Sequence, residues 1–435
     1  MPLQCVPRLP WAALPFLLLT TGIACASAAP VVAPVPAPLS PAPVTIVIAP
    51  VRVTPVRVLV EGSLASVGMD STLSDLLDSI LQVAIIEGAS PGAALAVGRF
   101  GRLVYQRGFG TLDYAAGSPG VSSATLYDLA SLTKVIATTT IAMILEEEGR
   151  LDVARTVRSY LPEFDALDKA AITVRMLLTH SGGLESYAPL YLKYKGRADF
   201  ISQINARPLR SVPGTATVYS DWDMVLLQAV IERITSMPID QFAARRVFEP
   251  LGMVDTQFLP DTSNALLRQR IAPTAVDTSR GGLLQGTVHD GNAWAIGGVS
   301  GHAGLFSTAR DLAVFAQALL NGGTYGEARI VTATTVARWT SRQAAASSRG
   351  FGWDTPAPES SAGRYFSPRS FGHTGFTGTS LWVDPERGLF VVLLMNRVNS
   401  HGTSTRHVKL RRDVADAVQA AIVDAPLTNW ETHRP

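Results

Sequence analysis

Ser131 and Lys134 lie three residues apart in "YDLASLTKVIATTTIAMILEEEG", Tyr127 to Gly149, at the head of a segment whose body is almost wholly apolar. On a helix that spacing places both side chains on one face, one turn apart. A serine hydroxyl is a poor nucleophile unless a base takes its proton. A lysine can do so only where burial or nearby cations lower its pKa from about 10.4. A helix N-terminus inside an apolar cleft offers both conditions, with the hydroxyl near the positive end. Of the 37 basic residues only five are lysine (Lys134, Lys169, Lys193, Lys195, Lys409). Arginine cannot deprotonate in a protein, so a lysine kept on this helix suits base chemistry. Taken alone, the pair is better read as a capping serine beside a lysine that snorkels to the surface.

Two later stretches decide between these readings. In "PGTATVYSDWDMVLLQAVIERIT", Tyr219 precedes a helix that Ser220 and Asp223 could open as a capping box. A phenol there could relay a proton between Ser131 and a leaving group. In "FGHTGFTGTSLW", His373, Thr374 and Gly375 enter a strand, where glycines let a substrate backbone lie close to the strand edge.

In this order, Ser131-x-x-Lys134, Tyr219-Ser220-Asp221 and His373-Thr374-Gly375 resemble the penicillin-recognising serine hydrolases. The resemblance is closest to the class C β-lactamase-like group, which includes D-alanyl-D-alanine carboxypeptidases and esterases. It spans about residues 70 to 425 and takes in "LLTHSGGL" and "GGVSGHAGLFSTARDL". It implies Ser131 as the acylated nucleophile, Lys134 and Tyr219 as the proton-transfer pair, and the N–H groups of Ser131 and Phe376 as the oxyanion hole. Asp221, His373, Thr374 and Gly375 would contact the substrate. Two positions depart from the family pattern. Asp221 stands where an amide is common; it can only accept when ionised, and near Lys134 it would oppose use of the lysine as base. His373 stands where a lysine is common and would be only partly charged near neutral pH, weakening carboxylate binding. Both departures favour an esterase or D,D-peptidase over an efficient β-lactamase. A penicillin or cell-wall-peptide sensor that binds without turnover is the competing class.

Other chemistries find less support. The seven histidines show no H-E-x-x-H or H-x-H spacing, so no metal and no cofactor is expected. Gly298-Val299-Ser300-Gly301-His302 lacks the last glycine of a G-x-S-x-G elbow. His180 reads as a helix C-cap and His302 as a structural loop residue. Net charge is +2 without a basic run interleaved with aromatics, which argues against nucleic acid as a partner.

The elements that must position these residues are legible in outline. "STLSDLLDSILQVAIIEG" has the helical period, and "GAALAVGRFGRLVYQRGFG" alternates around a turn at Arg99 to Arg102. "GTSLWVDPERGLFVVLLMN" repeats the hairpin logic with a turn at Asp384 to Gly388, and a helix from about Arg406 to Val423 follows. The expectation is an α+β fold: an antiparallel sheet built from both ends of the domain, flanked by helices, with an inserted mainly helical lobe. The domain should run from 66 to 428, its sheet lobe about 66–125 and 365–428 and its helical lobe about 126–364, with a tail at 429–435. A chain of 435 residues is long enough for two lobes. Ahead of the domain, Arg8, an apolar run and Ala26-Ser27-Ala28 read as a signal peptide over residues 1–28. Residues 29–65 carry eight prolines between Pro30 and Pro55 and read as a tether. Cys5 and Cys25 both fall in the leader, so a chain cut after Ala28 has no thiol, unless "GIAC" makes Cys25 a lipidation site. The reading is therefore a monomer exported to the periplasm or cell envelope, possible lipid anchoring included, acting on a small molecule or a peptidoglycan peptide.

Overall fold

The structure is a computed structural model and describes residues 58–358, 360–399 and 405–429. The leader, the Cys25 site and most of the proline-rich segment lie outside the described residues. Among the described residues no helix is long and apolar enough to cross a membrane.

A six-stranded sheet carries the fold. Its strands are β1 (Val60–Glu61), β2 (Gly92–Arg99), β3 (Arg102–Gly110), β4 (Phe371–Thr374), β5 (Ser380–Asp384) and β6 (Leu389–Met395), in the order β1-β3-β2-β6-β5-β4. Both ends of the domain thus contribute, with β6 pairing antiparallel to β2 at the centre. The expected hairpin at Arg99 to Arg102 forms with those two residues paired, and Phe100 and Gly101 both take positive φ, 50° and 78°. Two consecutive left-handed residues give the turn whose twist matches that of the strands. The sheet differs from the wholly antiparallel expectation at one edge, where β1 runs parallel to β3. That strand falls inside the segment read as tether; Leu59 and Leu64 are buried, so packing starts ahead of residue 66.

Alternation sorts each central strand between two apolar layers. From β2, Ala93, Leu95 and Val97 face α1 (Leu73–Ile86), which buries Leu73, Leu77 and Leu81. The same layer holds Leu410, Val414 and Val418 of the terminal helix, Arg406–Ala420. Full burial of one such leucine is worth ~1.5–3 kcal/mol. On the other face Ala94, Ala96, Phe390 and Val392 join a cluster that continues without a break into the helical part, through Ile136, Trp222, Leu226 and Phe315. Strands covered on both sides read as continuous apolar runs, which is why "LFVVLL" shows no alternation.

The helical part supplies two elements that matter for the site. A π-helical stretch, Lys134–Thr139, leads into α2 (Thr140–Glu147), and all six of its residues are buried. Such π stretches concentrate at functional sites. The helix α3 (Asp221–Thr235) starts directly after Tyr219-Ser220. Ser220 caps it, accepting from the Trp222 N–H at 3.2 Å. Asp223 does not complete the expected capping box; its carboxylate points inward to His180 at 2.7 Å.

Candidate active site

Ser131 follows a tightly held turn. Ala130 has φ 46°, a left-handed conformation that costs a non-glycine residue on the order of 1–3 kcal/mol. Several bonds impose it. One Asp128 oxygen accepts the Ala130 N–H at 2.8 Å, and the other accepts the His289 N–H at 2.7 Å. The hydroxyls of Thr377 and Thr379 donate to the carbonyls of Asp128 and Leu129 at 2.7 and 2.9 Å. Burial pushes the Asp128 carboxyl up to about 6 despite its two N–H donors.

Lys134 is wholly buried, and its Nζ donates to Ser131 Oγ at 2.9 Å and to the His302 carbonyl at 3.0 Å. A third contact is the ion pair with Asp221 Oδ1 at 2.8 Å. All three donors of an ammonium are thus engaged. Burial works against the charge, but Asp221 and then Tyr219 outweigh it and hold Lys134 above the usual lysine range. Of the two opposed expectations for Lys134, a base freed by burial and an ammonium held by Asp221, the carboxylate in contact favours the second.

Tyr219 sits at the centre of a ring of charged and aromatic groups. Its ring centroid lies 5.0 Å from Lys134 Nζ, 4.6 Å from the His180 ring, 5.9 Å from the His373 ring and 5.2 Å from the Arg349 guanidinium carbon. His180 does end a helix with φ 53°, as its sequence context suggests, but it is also buried against Tyr219 and bonded to Asp223. His373 donates from Nδ1 to the Thr374 carbonyl at 2.9 Å. Burial, reinforced by Arg349 and Lys134, drives it well below the usual histidine range, so it is neutral near pH 7 rather than partly charged. The cation at this end of the site is Arg349, whose Nη1 is buried with no hydrogen-bond partner among the described residues.

Tyr219, His373 and Arg349 line one cavity of about 990 Å³, together with Ser131, Asp221, Thr374, Gly375 and Phe376. Lys134 lies beneath it, bonded to Ser131. Among the described residues, neither the Ser131 nor the Phe376 N–H donates to another backbone or side-chain acceptor, which leaves both for a ligand oxygen. Gly375 serves packing as well as substrate approach, because a Cβ there would overlap the Thr379 hydroxyl and the Leu129 carbonyl. His302 is likewise more than a loop residue. Its ring bridges Ser300 at 2.6 Å and Asp290 at 2.8 Å, which orients the carbonyl that holds Lys134. Although burial raises it, Asp290 is held well below the usual carboxylate range by His302 and the Ala293 N–H. Asp221, Asp290 and His302 bring ligand atoms within 4.8 Å of one another. Each is already paired, Asp221 with Lys134 and Asp290 with His302, so a cation there would compete with existing charges.

Sequence reasoning singled out Ser131, Lys134, Tyr219, Asp221, His373, Thr374, Gly375 and Phe376, and the fold brings them to one cavity and its floor. It missed Asp128, Asp290 and Arg349. Arg349 carries no local signal in a chain whose basic residues are mostly arginine; Asp128, three residues before Ser131, could have been noticed as an acid within a strongly apolar stretch.

Comparison with known proteins gives the family and the fold. A Salmonella agona protein provisionally named D-alanyl-D-alanine carboxypeptidase is 33% identical over 377 residues, which cover 79% of this chain and 87% of that one. Among solved structures, a β-lactamase/D-alanine carboxypeptidase from Pseudomonas syringae aligns with TM-score 0.64 and 22% identity, over 79% of this chain and 99% of that one. EstCE1, described as a hydrolase with promiscuous acyltransferase activity, aligns with TM-score 0.64 and 24% identity, over 80% and 98%. At such identities these two structures speak for the fold alone. The family model described as Beta-lactamase matches residues 69–416, from just ahead of α1 into the terminal helix, and the chain is a serine hydrolase of the β-lactamase family.

Proposed function

We propose that the protein is an exported hydrolase that acylates Ser131 and releases the acyl group to water, preferring D-alanyl peptides with a free carboxylate and accepting small esters. The observation that carries the substrate class is Arg349, a guanidinium beside Tyr219 and neutral His373 with a buried Nη1 that has no partner among the described residues. A substrate carboxylate would satisfy it with a charge-assisted bond. The 33% identical relative named as a carboxypeptidase supports the same class.

The chemistry follows from the donors. Lys134 already donates to Ser131 Oγ, so it is not the acceptor of the serine proton. As Oγ attacks the carbonyl carbon, its proton passes to the Tyr219 oxygen, while the phenol proton moves on to the leaving amine or alkoxide. The oxyanion forms against the Ser131 and Phe376 N–H groups, whose stabilisation is realised only in the tetrahedral state. Lys134, kept charged by Asp221, fixes Oγ and offsets negative charge on the phenol. Water then reverses the sequence. Export and residence in the cell envelope rest on the leader alone, and fractionation of the tagged full-length protein tests them.

Arg349→Met tests the substrate class. Loss of a hydrogen bond to a charged group, ~1.5–3 kcal/mol, should lower kcat/KM for an acetylated D-Ala-D-Ala peptide by ~10- to 150-fold and leave p-nitrophenyl acetate within ~2-fold. An equal loss on both substrates refutes the assignment. Stable acylation of the wild type without product release would favour a sensor instead.

A further inference from the structure

The terminal helix, α4 (Arg406–Ala420), brings Arg411 to the wall of the active-site cavity. Arg411 is buried, and among the described residues its guanidinium bonds only to carbonyls. Nη2 donates to Gly375 O at 2.7 Å and to Thr379 O at 2.8 Å, and Nε donates to Gly378 O at 3.0 Å. Among the described residues no carboxylate pairs with it, and its strongest charged neighbour is another cation, Arg397. Burying an uncompensated charge is costly, and a neutral donor could hold a turn at lower cost. The turn already has other fastenings: Gly375 N–H to Thr379 O at 2.7 Å, and the Thr377 and Thr379 hydroxyls to the Ser131 segment.

The position of the charge gives it a further use. Gly375 O and Phe376 N–H are the two ends of one peptide group. A cation on the oxygen draws electron density from the N–H, strengthens it as a donor and fixes the plane in which it points. Phe376 lines the cavity beside Ser131. We propose that Arg411 is a positioning residue of the oxyanion site: its guanidinium orients and polarises the Gly375–Phe376 peptide so that the Phe376 N–H stabilises the acyl oxygen. The proposal rests on the acyl-Ser131 reading above.

The ester carbonyl of the acyl-enzyme reports on the peptide directly. Acylate the full-length protein with an aryl ester labelled with carbon-13 at the carbonyl, and record the infrared difference spectrum against the unlabelled ester. Only folded, acylated molecules contribute the shifted band. Compare wild type with Arg411→Lys, which keeps a charge but loses the fork, and Arg411→Met, which loses both. The expected band moves to higher wavenumber in the order wild type, Lys, Met. In step, kcat for the ester should fall by about 10- to 100-fold in the Met variant with KM nearly unchanged, short of the ~10²–10³ seen when an oxyanion donor is deleted. If Arg411→Met does not fold, Arg411→Lys decides alone. A Lys-variant band at the wild-type frequency overturns the proposal, as does a Met variant whose band is unmoved. Failure of the wild type to acylate overturns the acyl-serine reading itself, and this proposal with it.

Discussion

Asp221→Asn exposes the electrostatic logic of the site. In the wild type, Asp221 Oδ1 lies 2.8 Å from a lysine with no solvent exposure, while its own side chain is 16% exposed. The amide keeps an acceptor in place but removes the negative charge, so the ammonium loses its counter-charge and the lysine becomes easier to deprotonate. Outright loss of one partner of a buried pair costs ~3–5 kcal/mol. Retention of an acceptor and partial exposure on the Asp221 side bring this to ~1–3 kcal/mol, the range of a weakened bond to a charged group. At 1.36 kcal/mol per decade that is a ~5- to 150-fold drop in kcat/KM for a simple ester. The new amide N–H₂ can also donate to a peptide or lactam carbonyl, which ionised Asp221 cannot. The ratio of kcat/KM for nitrocefin to that for p-nitrophenyl acetate should therefore rise even as ester turnover falls. Steady-state kinetics with both substrates, alongside thermal unfolding to confirm folding, make the measurement. Ester turnover at or above wild type, or a flat or falling ratio, would refute the reasoning.

Other outcomes follow from the same geometry. Asp128 must be ionised to accept both the Ala130 and His289 N–H groups, and its carboxyl is raised to about 6. Ester kcat should fall as pH drops through about 6, and Asp128→Asn should give a low profile without that limb; an unchanged limb would count against the role. A raised carboxyl favours the folded state below the unfolded value of ~3.9, and that stabilisation is lost as pH rises through about 6, so Asp128→Asn should flatten the change in stability between these limits. Gly375→Ala places a Cβ onto the Leu129 carbonyl and Thr379 hydroxyl, so melting temperature and ester turnover should both fall; wild-type values for both would show that the turn has slack. Leu77→Ala, on the face of the sheet away from the site, should cost ~2–5 kcal/mol in denaturant unfolding while leaving KM intact.

The legible features of this chain were local or short-range. Two hairpins announce themselves through alternation and turn chemistry, and Ser131, Tyr219 and His373 sit in compact motifs whose neighbours in sequence are their neighbours in space. The charge states were only partly legible: the tyrosine motif set Asp221 against Lys134 as a base, but not the contact that decides it. Lys134 stays protonated because Asp221, 87 positions away in the chain, comes to 2.8 Å, and His373 stays neutral because it is buried beside two cations. Arg349 reaches the cavity from a stretch with no regular pattern, and Arg411 from a helix whose sequence reads as an ordinary amphipathic surface element. Asp223 was misplaced for a related reason: a carboxylate in the first turn of a helix suggests a cap, and only the fold shows that His180 lies within 2.7 Å on the inner side. The parallel edge strand was hidden because two residues are too short to carry a period.

The central claim is that Ser131 carries the acyl group through turnover. Intact-mass analysis of the protein mixed with a p-nitrophenyl ester, with peptide mapping and product release followed together, tests it most directly. The account predicts a transient mass increase equal to the acyl group, located on Ser131, with many equivalents of product released, and neither acylation nor release in Ser131→Ala. Ester turnover in Ser131→Ala equal to that of the wild type would contradict it.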